Sequence, residues 1–231
     1  MSRLFEVVVP DAIWVSERPV WFGGVQLRSR TTVVRLAGDA LWIHSPGPPS
    51  DETCAALDAL GEVRFVVVPN RYHHLQTPAM AARYPQARVV GPDSVRARNP
   101  DVALTMGFGD PAYVGATPEL TPIRLDGVPF LDETLFFHEA SGSLIAADLL
   151  ISACARDHWT WRAAARLFGR YQTVKTPPDV WMKTRASAAL AESIAKLRAL
   201  PIDRILVAHA DPITERPVEQ LVEAWTFALP R

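Results

Sequence analysis

The chain has 231 residues, 48% of them hydrophobic and 21% charged, the make-up of a soluble globular protein with enough length for one large domain. Its 24 basic and 25 acidic residues give a net charge of -1 with no basic stripe, which argues against a nucleic-acid partner. No apolar run reaches the roughly 18 residues of a membrane span. Met1-Ser2-Arg3-Leu4-Phe5-Glu6 lacks the apolar core and cleavage site of a signal peptide, so the expected location is cytoplasmic.

The first 45 residues read as β. Short runs at Phe5–Val9, Ala12–Val15, Thr31–Leu36 and Leu41–His44 are separated by turn signals at Pro10-Asp11, Gly23-Gly24 and Gly38-Asp39. After the break at Ser45-Pro46-Gly47-Pro48-Pro49, Ser50 or Asp51 caps a helix to about Leu60, which Gly61 ends. Val63–Val68 is apolar apart from Arg64, as expected of a strand largely covered on both faces. A helix over Thr77–Tyr84 and a strand over Arg88–Val90 continue an α/β alternation. Residues 99–121 read as a loop with short helical turns. Strands are expected at Pro122–Leu125, Glu133–His138 and Ser143–Asp148, the last two joined at Ala140-Ser141-Gly142. A Trp- and Arg-rich helical insertion follows over about 152–178, then one long helix over Asp179–Leu200. The strand Ile205–Ala208 and a helix over Pro217–Ala228 complete a chain read as one domain, residues 1–231. Cys54 and Cys154 belong to no C-x-x-C pair and read as free thiols.

Four residues far apart in sequence share one property: each lies where an apolar strand runs out. His73 and His74 follow Val63–Val68, Asp148 follows Ser143–Ala147, and His209 follows Arg204–Ala208. Ligands of α/β folds gather at strand ends. Three imidazoles and a carboxylate suit one divalent metal ion, zinc first, with iron or manganese as alternatives. Each residue also has a plainer reading. The histidine pair would cap the next helix, Asp148 would cap the segment after it or pair with Arg71, and His209 would be a core histidine bonded to backbone.

The order of elements and this ligand set resemble the metallo-β-lactamase superfamily, whose hallmark is H-x-H-x-D-H after a buried strand, with a later Asp and a last His. The resemblance covers nearly the whole chain and implies a four-layer αββα sandwich of the α/β class. Aligning His73-His74 on the hallmark's D-H puts Pro69 and Arg71 where its first two histidines belong. No histidine falls between Asp126 and Leu131, where the family's middle one is expected. The resemblance therefore implies that one of two metal positions has lost its ligands. The other is kept as His73, His74, Asp148 and His209, with an imidazole replacing a carboxylate at His73. Ile43-His44-Ser45-Pro46, Pro69-Asn70-Arg71-Tyr72-His73-His74 and Phe136-Phe137-His138 look like a divergent branch with a degenerate hallmark.

Arg71 would stand where the first metal is missing, so its fixed charge could replace that ion and grip an anionic group. Tyr72 and Asn70 flank it; each reads equally as turn chemistry or packing. His44 and His138 read as structural. Trp159, Trp161, Phe168 and Trp181 read as packing, or as a cover that sets specificity. Two functions follow. One is a mononuclear metal-dependent hydrolase of small esters, thioesters, lactones or phosphoesters, with Arg71 and Tyr72 as catalytic residues and a small-molecule substrate as partner. The other is a catalytically inactive descendant holding a structural metal or a small molecule, since four protein ligands close a tetrahedral site. A redox role for a single iron is a weaker third.

Overall fold

The computed structural model describes residues 4–229. Met1–Arg3, on which the signal-peptide reading partly rests, lie outside the described residues. The chain forms two compact units, one of residues up to 17 and 30–121, the other of residues 18–29 and from 122 onward.

The first unit is organised on a six-stranded sheet in the order β1-β2-β3-β4-β5-β6. β1 (Glu6–Val9) pairs antiparallel with β2 (Ile13–Phe22), and β3 (Val25–Arg35) pairs antiparallel with β4 (Ala40–His44). From there the sheet turns parallel: Ile43 faces Val66 of β5 (Glu62–Val67), which faces Val89 of β6 (Arg88–Val90). Parallel neighbours need crossovers, and α1 (Asp51–Leu60) and α2 (Thr77–Arg83) supply them. Ser50 caps α1 by accepting from the Thr53 N–H at 3.2 Å. The core behind this layer packs Trp14, Val33, Leu41, Ile43, Leu57, Val66 and Met80.

β2 and β3 run much further than their apolar residues predicted. Arg28, Ser29 and Arg30 break the alternation in β3, yet Ser29 and Arg30 are buried, Arg30 through an ion pair with Glu17. The outer ends of both strands meet at Gly23-Gly24, with φ of 56° and 82°. Two successive left-handed residues are what a tight hairpin turn requires, and glycine adopts them without strain. α3 (Asp93–Arg98) was not expected. α4 (Pro111–Ala116) is one of the helical turns anticipated in 99–121, capped by Asp110.

The second unit contains a four-stranded sheet in the order β10-β9-β8-β7. β7 (Leu120–Arg124) begins in the preceding segment. β8 (Thr134–His138) pairs antiparallel with β9 (Ser143–Ile145), and β9 pairs parallel with β10 (Arg204–Leu206). The insertion is less helical than expected. Only α5 (Trp159–Leu167) is regular, while Ile151 bridges Lys175 and Ala153 bridges Tyr171. The long helix expected over 179–200 is two, α6 (Pro178–Lys183) and α7 (Ala188–Arg198). Thr184 turns its backbone extended and bonds its hydroxyl to the Val180 carbonyl at 2.7 Å; Ser187 then caps α7 by accepting from the Leu190 N–H. Such side-chain bonds compete with the helix. α8 (Pro217–Trp225) starts at its proline as expected. Among the described residues, no helix is long and apolar enough to cross a membrane.

Candidate metal centre

In the second unit, the register of β9 on β10 determines which residues meet beyond the strand ends. Ile145 faces Leu206 in parallel pairing, so the residues three positions further on, Asp148 and His209, emerge side by side. The Ala208 N–H, donating to the Ala147 carbonyl at 3.0 Å, carries the pairing past the regular strands. His209 Nε2 lies 3.4 Å from Asp148 Oδ1, with Asp148 buried and His209 half-buried.

The other imidazole nitrogen is already committed. His209 Nδ1 lies 2.6 Å from the Arg28 carbonyl. A carbonyl only accepts, so a proton sits on Nδ1 and Nε2 is the nitrogen turned toward Asp148. With Nδ1 held by the carbonyl, Nε2 is the ring atom placed to ligate beside the Asp148 carboxylate. Ligands at about 2.0–2.2 Å from a shared tetrahedral metal stand roughly 3.4 Å apart. A backbone carbonyl holding the far nitrogen is the usual support for a metal-binding histidine.

Arg28 is itself anchored. Its guanidinium lies 2.6 Å from Asp157 and 2.8 Å from Asp211, and Arg156 also pairs with Asp211. Burial pushes the Asp211 carboxyl up, but hydrogen bonds from Arg156 and Arg28 outweigh it and bring it down to about 2. Burial pushes the nearby Cys154 thiol up, which keeps it protonated. Asp148 is steadied from its own backbone. Glu133, fully buried, accepts from the Ala147 N–H at 2.6 Å and from the Asp148 N–H at 3.0 and 3.2 Å. Asp179, on the first turn of α6, has its carboxyl raised by burial and by the Asp148 charge. The Asp148 and Asp179 carboxylates put negative charge here, which favours a cation.

Arg71, Tyr72, His73 and His74 lie in the first unit, on the loop between β5 and α2, all half-buried. Asn70 shapes this loop. Fully buried, it accepts through Oδ1 from the Tyr72 N–H at 2.9 Å and the His73 N–H at 3.1 Å, which makes it turn chemistry. His74 Nδ1 donates to the Arg71 carbonyl at 3.0 Å, so Nε2 is its other ring nitrogen.

The remaining histidines sit where structural roles place them. His138 bonds Ser141 at 2.8 Å; His44 bonds Ser45 at 3.1 Å and stacks on Trp42. Trp161 is core, packed with Leu27 and Ala165, whereas Trp159 is exposed. Sequence reasoning missed Glu133 and Arg28. Glu133 directly precedes β8, a strand of buried residues, an unusual place for a carboxylate, and that is its only signal. Arg28 contributes a backbone carbonyl, which no motif reveals.

The chain has the metallo-β-lactamase fold. A metallo-β-lactamase from Hirschia baltica superposes with a TM-score of 0.65 at 10% identity, covering 99% of this chain and 100% of the other. The mono-zinc form of the metallo-β-lactamase FIM-1 from Pseudomonas aeruginosa gives 0.61 at 13% identity, covering 98% and 96%. A metal-soaked flavodiiron core from Synechocystis gives 0.66 at 13% identity, covering 96% of this chain and 59% of the other. A family model described as a domain of unknown function (DUF4336) matches residues 10–95. No curated protein matches the chain.

Proposed function

We propose that the protein is a mononuclear metal-dependent hydrolase acting on a small ester, thioester, lactone or phosphoester. The observation that carries this reading is the pair of facing donors, His209 Nε2 and Asp148 Oδ1, held 3.4 Å apart by supports on both sides. With His73 and His74 they would make the ligand set of one divalent ion, zinc before iron or manganese. The likeness to a mono-zinc β-lactamase and to a metal-soaked flavodiiron core supports a metal in this fold. Such an ion would lower the pKa of a bound water to about 7 and polarise the scissile group.

The chain's own groups would do the rest. The Arg28 carbonyl keeps His209 in the tautomer that ligates, and Glu133 holds the Asp148 backbone. Arg71 would take the place of a second cation, gripping an anionic substrate group or the oxygen on which charge develops. Tyr72 would donate a hydrogen bond to that oxygen. Four protein ligands leave room for substrate if coordination expands to five.

The test is a hydrolysis screen over the four substrate classes with metal-loaded protein, beside His209→Ala and Arg71→Ala. Turnover of one class, abolished in the first variant and weakened through KM for anionic substrates in the second, is the expected result. Metal-loaded protein inert toward all four classes would leave the inactive descendant as the reading.

A further inference from the structure

We propose that the tip of the β2–β3 hairpin and α5 together form a surface that docks on anionic lipid membranes. Both belong to the second unit. Large apolar side chains there stand in solvent: Trp21 is 60% exposed, Phe22 54%, Trp159 65% and Leu167 81%. Isolated exposed apolar residues are ordinary, whereas a contiguous group marks an interaction site. Trp21 and Trp159 are joined through His158, and Phe22 adjoins Trp21 in the chain. The Trp21 ring meets the His158 ring edge-on at 5.6 Å, and His158 lies 5.8 Å from the Trp159 ring.

The exposure is built in. Trp161 and Ala165 on the inner face of α5 are buried with Leu27, and Val20 and Val25 of the hairpin pack on the same cluster. The Gln26 N–H donates to Thr160 Oγ1 at 3.0 Å, fastening the hairpin to the first turn of the helix. A firm apolar cluster inside therefore presents the aromatics outside.

Charge selects the partner. α5 carries Arg162 and Arg166 and no acid. Residues 155–185 hold seven Arg and Lys against two Asp, in a chain of net charge -1. Of those two acids, Asp157 is buried in its ion pair with Arg28 and Asp179 is half-buried; Arg156 is neutralised by Asp211, which leaves six basic residues with no exposed acid in the segment. A helix with arginines beside Trp and Leu matches the headgroup boundary of a membrane, where indole rings settle and guanidinium groups meet lipid phosphates. A nucleic acid would reward stacking on the rings but not the exposure of aliphatic Leu167. This inference does not depend on the metal reading, and neither test touches the other.

The experiment is cosedimentation of the full chain with vesicles of phosphatidylcholine alone or with about a third phosphatidylserine. Wild type should pellet with the anionic vesicles only, release at high salt, and shift its tryptophan emission to the blue. Trp21→Ser with Phe22→Ser should weaken binding about tenfold or more. Arg166→Glu, a change of two charges, should weaken it about twentyfold. Thermal melts matching wild type confirm folding, and Trp159→Ser repeats the test from the helix side. Folded wild type that ignores anionic vesicles overturns the proposal, as do variants that bind like wild type. A dimer that the Trp21 and Phe22 substitutions dissolve, without vesicle binding, would make this a contact between copies and overturn it equally.

Discussion

Glu133→Ala should be the most damaging single change near the candidate metal centre outside the proposed ligands. The carboxylate is fully buried and serves two backbone donors, the Ala147 N–H at 2.6 Å and the Asp148 N–H at 3.0 and 3.2 Å. Each buried donor left without an acceptor costs about 1–3 kcal/mol. Two donors give about 2–6 kcal/mol, offset in part because a buried charge disappears as well. The expected loss is about 3 kcal/mol. Glu133→Gln keeps one oxygen and turns an amide toward the other donor, so it should cost about half as much. Urea denaturation of metal-free protein measures both, provided the m-value is unchanged. Hydrogen exchange should lose protection at the Ala147 and Asp148 amides first. A Glu133→Ala variant within about 0.5 kcal/mol of wild type would refute the reasoning, as would a Gln variant as costly as Ala.

Three other outcomes follow from the structure. Asp211 has its carboxyl lowered in the folded state, so its contribution is present above the ordinary carboxylate range and fades as pH falls toward about 2. Its side chain is 47% exposed, so screening leaves about 1 kcal/mol of the gain. Asp211→Asn should therefore lower stability by about that much at neutral pH, with the gap closing in acid denaturation series. Tyr113→Phe removes the acceptor of the buried Trp42 indole N–H, 2.9 Å away, and should cost about 1–3 kcal/mol in urea titrations. Gly127 has φ of +86°, and a Cβ there would stand 2.6 Å from Leu190 Cβ and 2.8 Å from its backbone nitrogen. Gly127→Ala should lower Tm, with a loss of about 2 kcal/mol or more.

Elements carried by local signals were legible in the sequence. α1 has its serine cap, β5 its apolar run interrupted only at Arg64 and α8 its leading proline, and all three lie close to where they were expected. The extension of β3 through Arg28, Ser29 and Arg30 was not legible, because the burial of those polar residues is decided by partners such as Glu17. The break between α6 and α7 escaped notice for a similar reason. No Pro or Gly stands there, and the interruption is made by the hydroxyls of Thr184 and Ser187. At the site, strand ends pointed to Asp148 and His209, because parallel pairing carries matched positions forward together. The supports were hidden, since the Arg28 carbonyl and the Glu133 carboxylate act across more than a dozen residues on backbone and ring atoms.

The central claim is that Asp148 and His209 are metal ligands, and elemental analysis of the purified protein tests it most directly. Wild type, Asp148→Ala, His209→Ala and His74→Ala should be compared after incubation with zinc, iron or manganese. About one metal ion per chain in wild type, lost in each variant while the fold is retained, is the predicted result. No bound metal in wild type under any of these conditions would contradict the account.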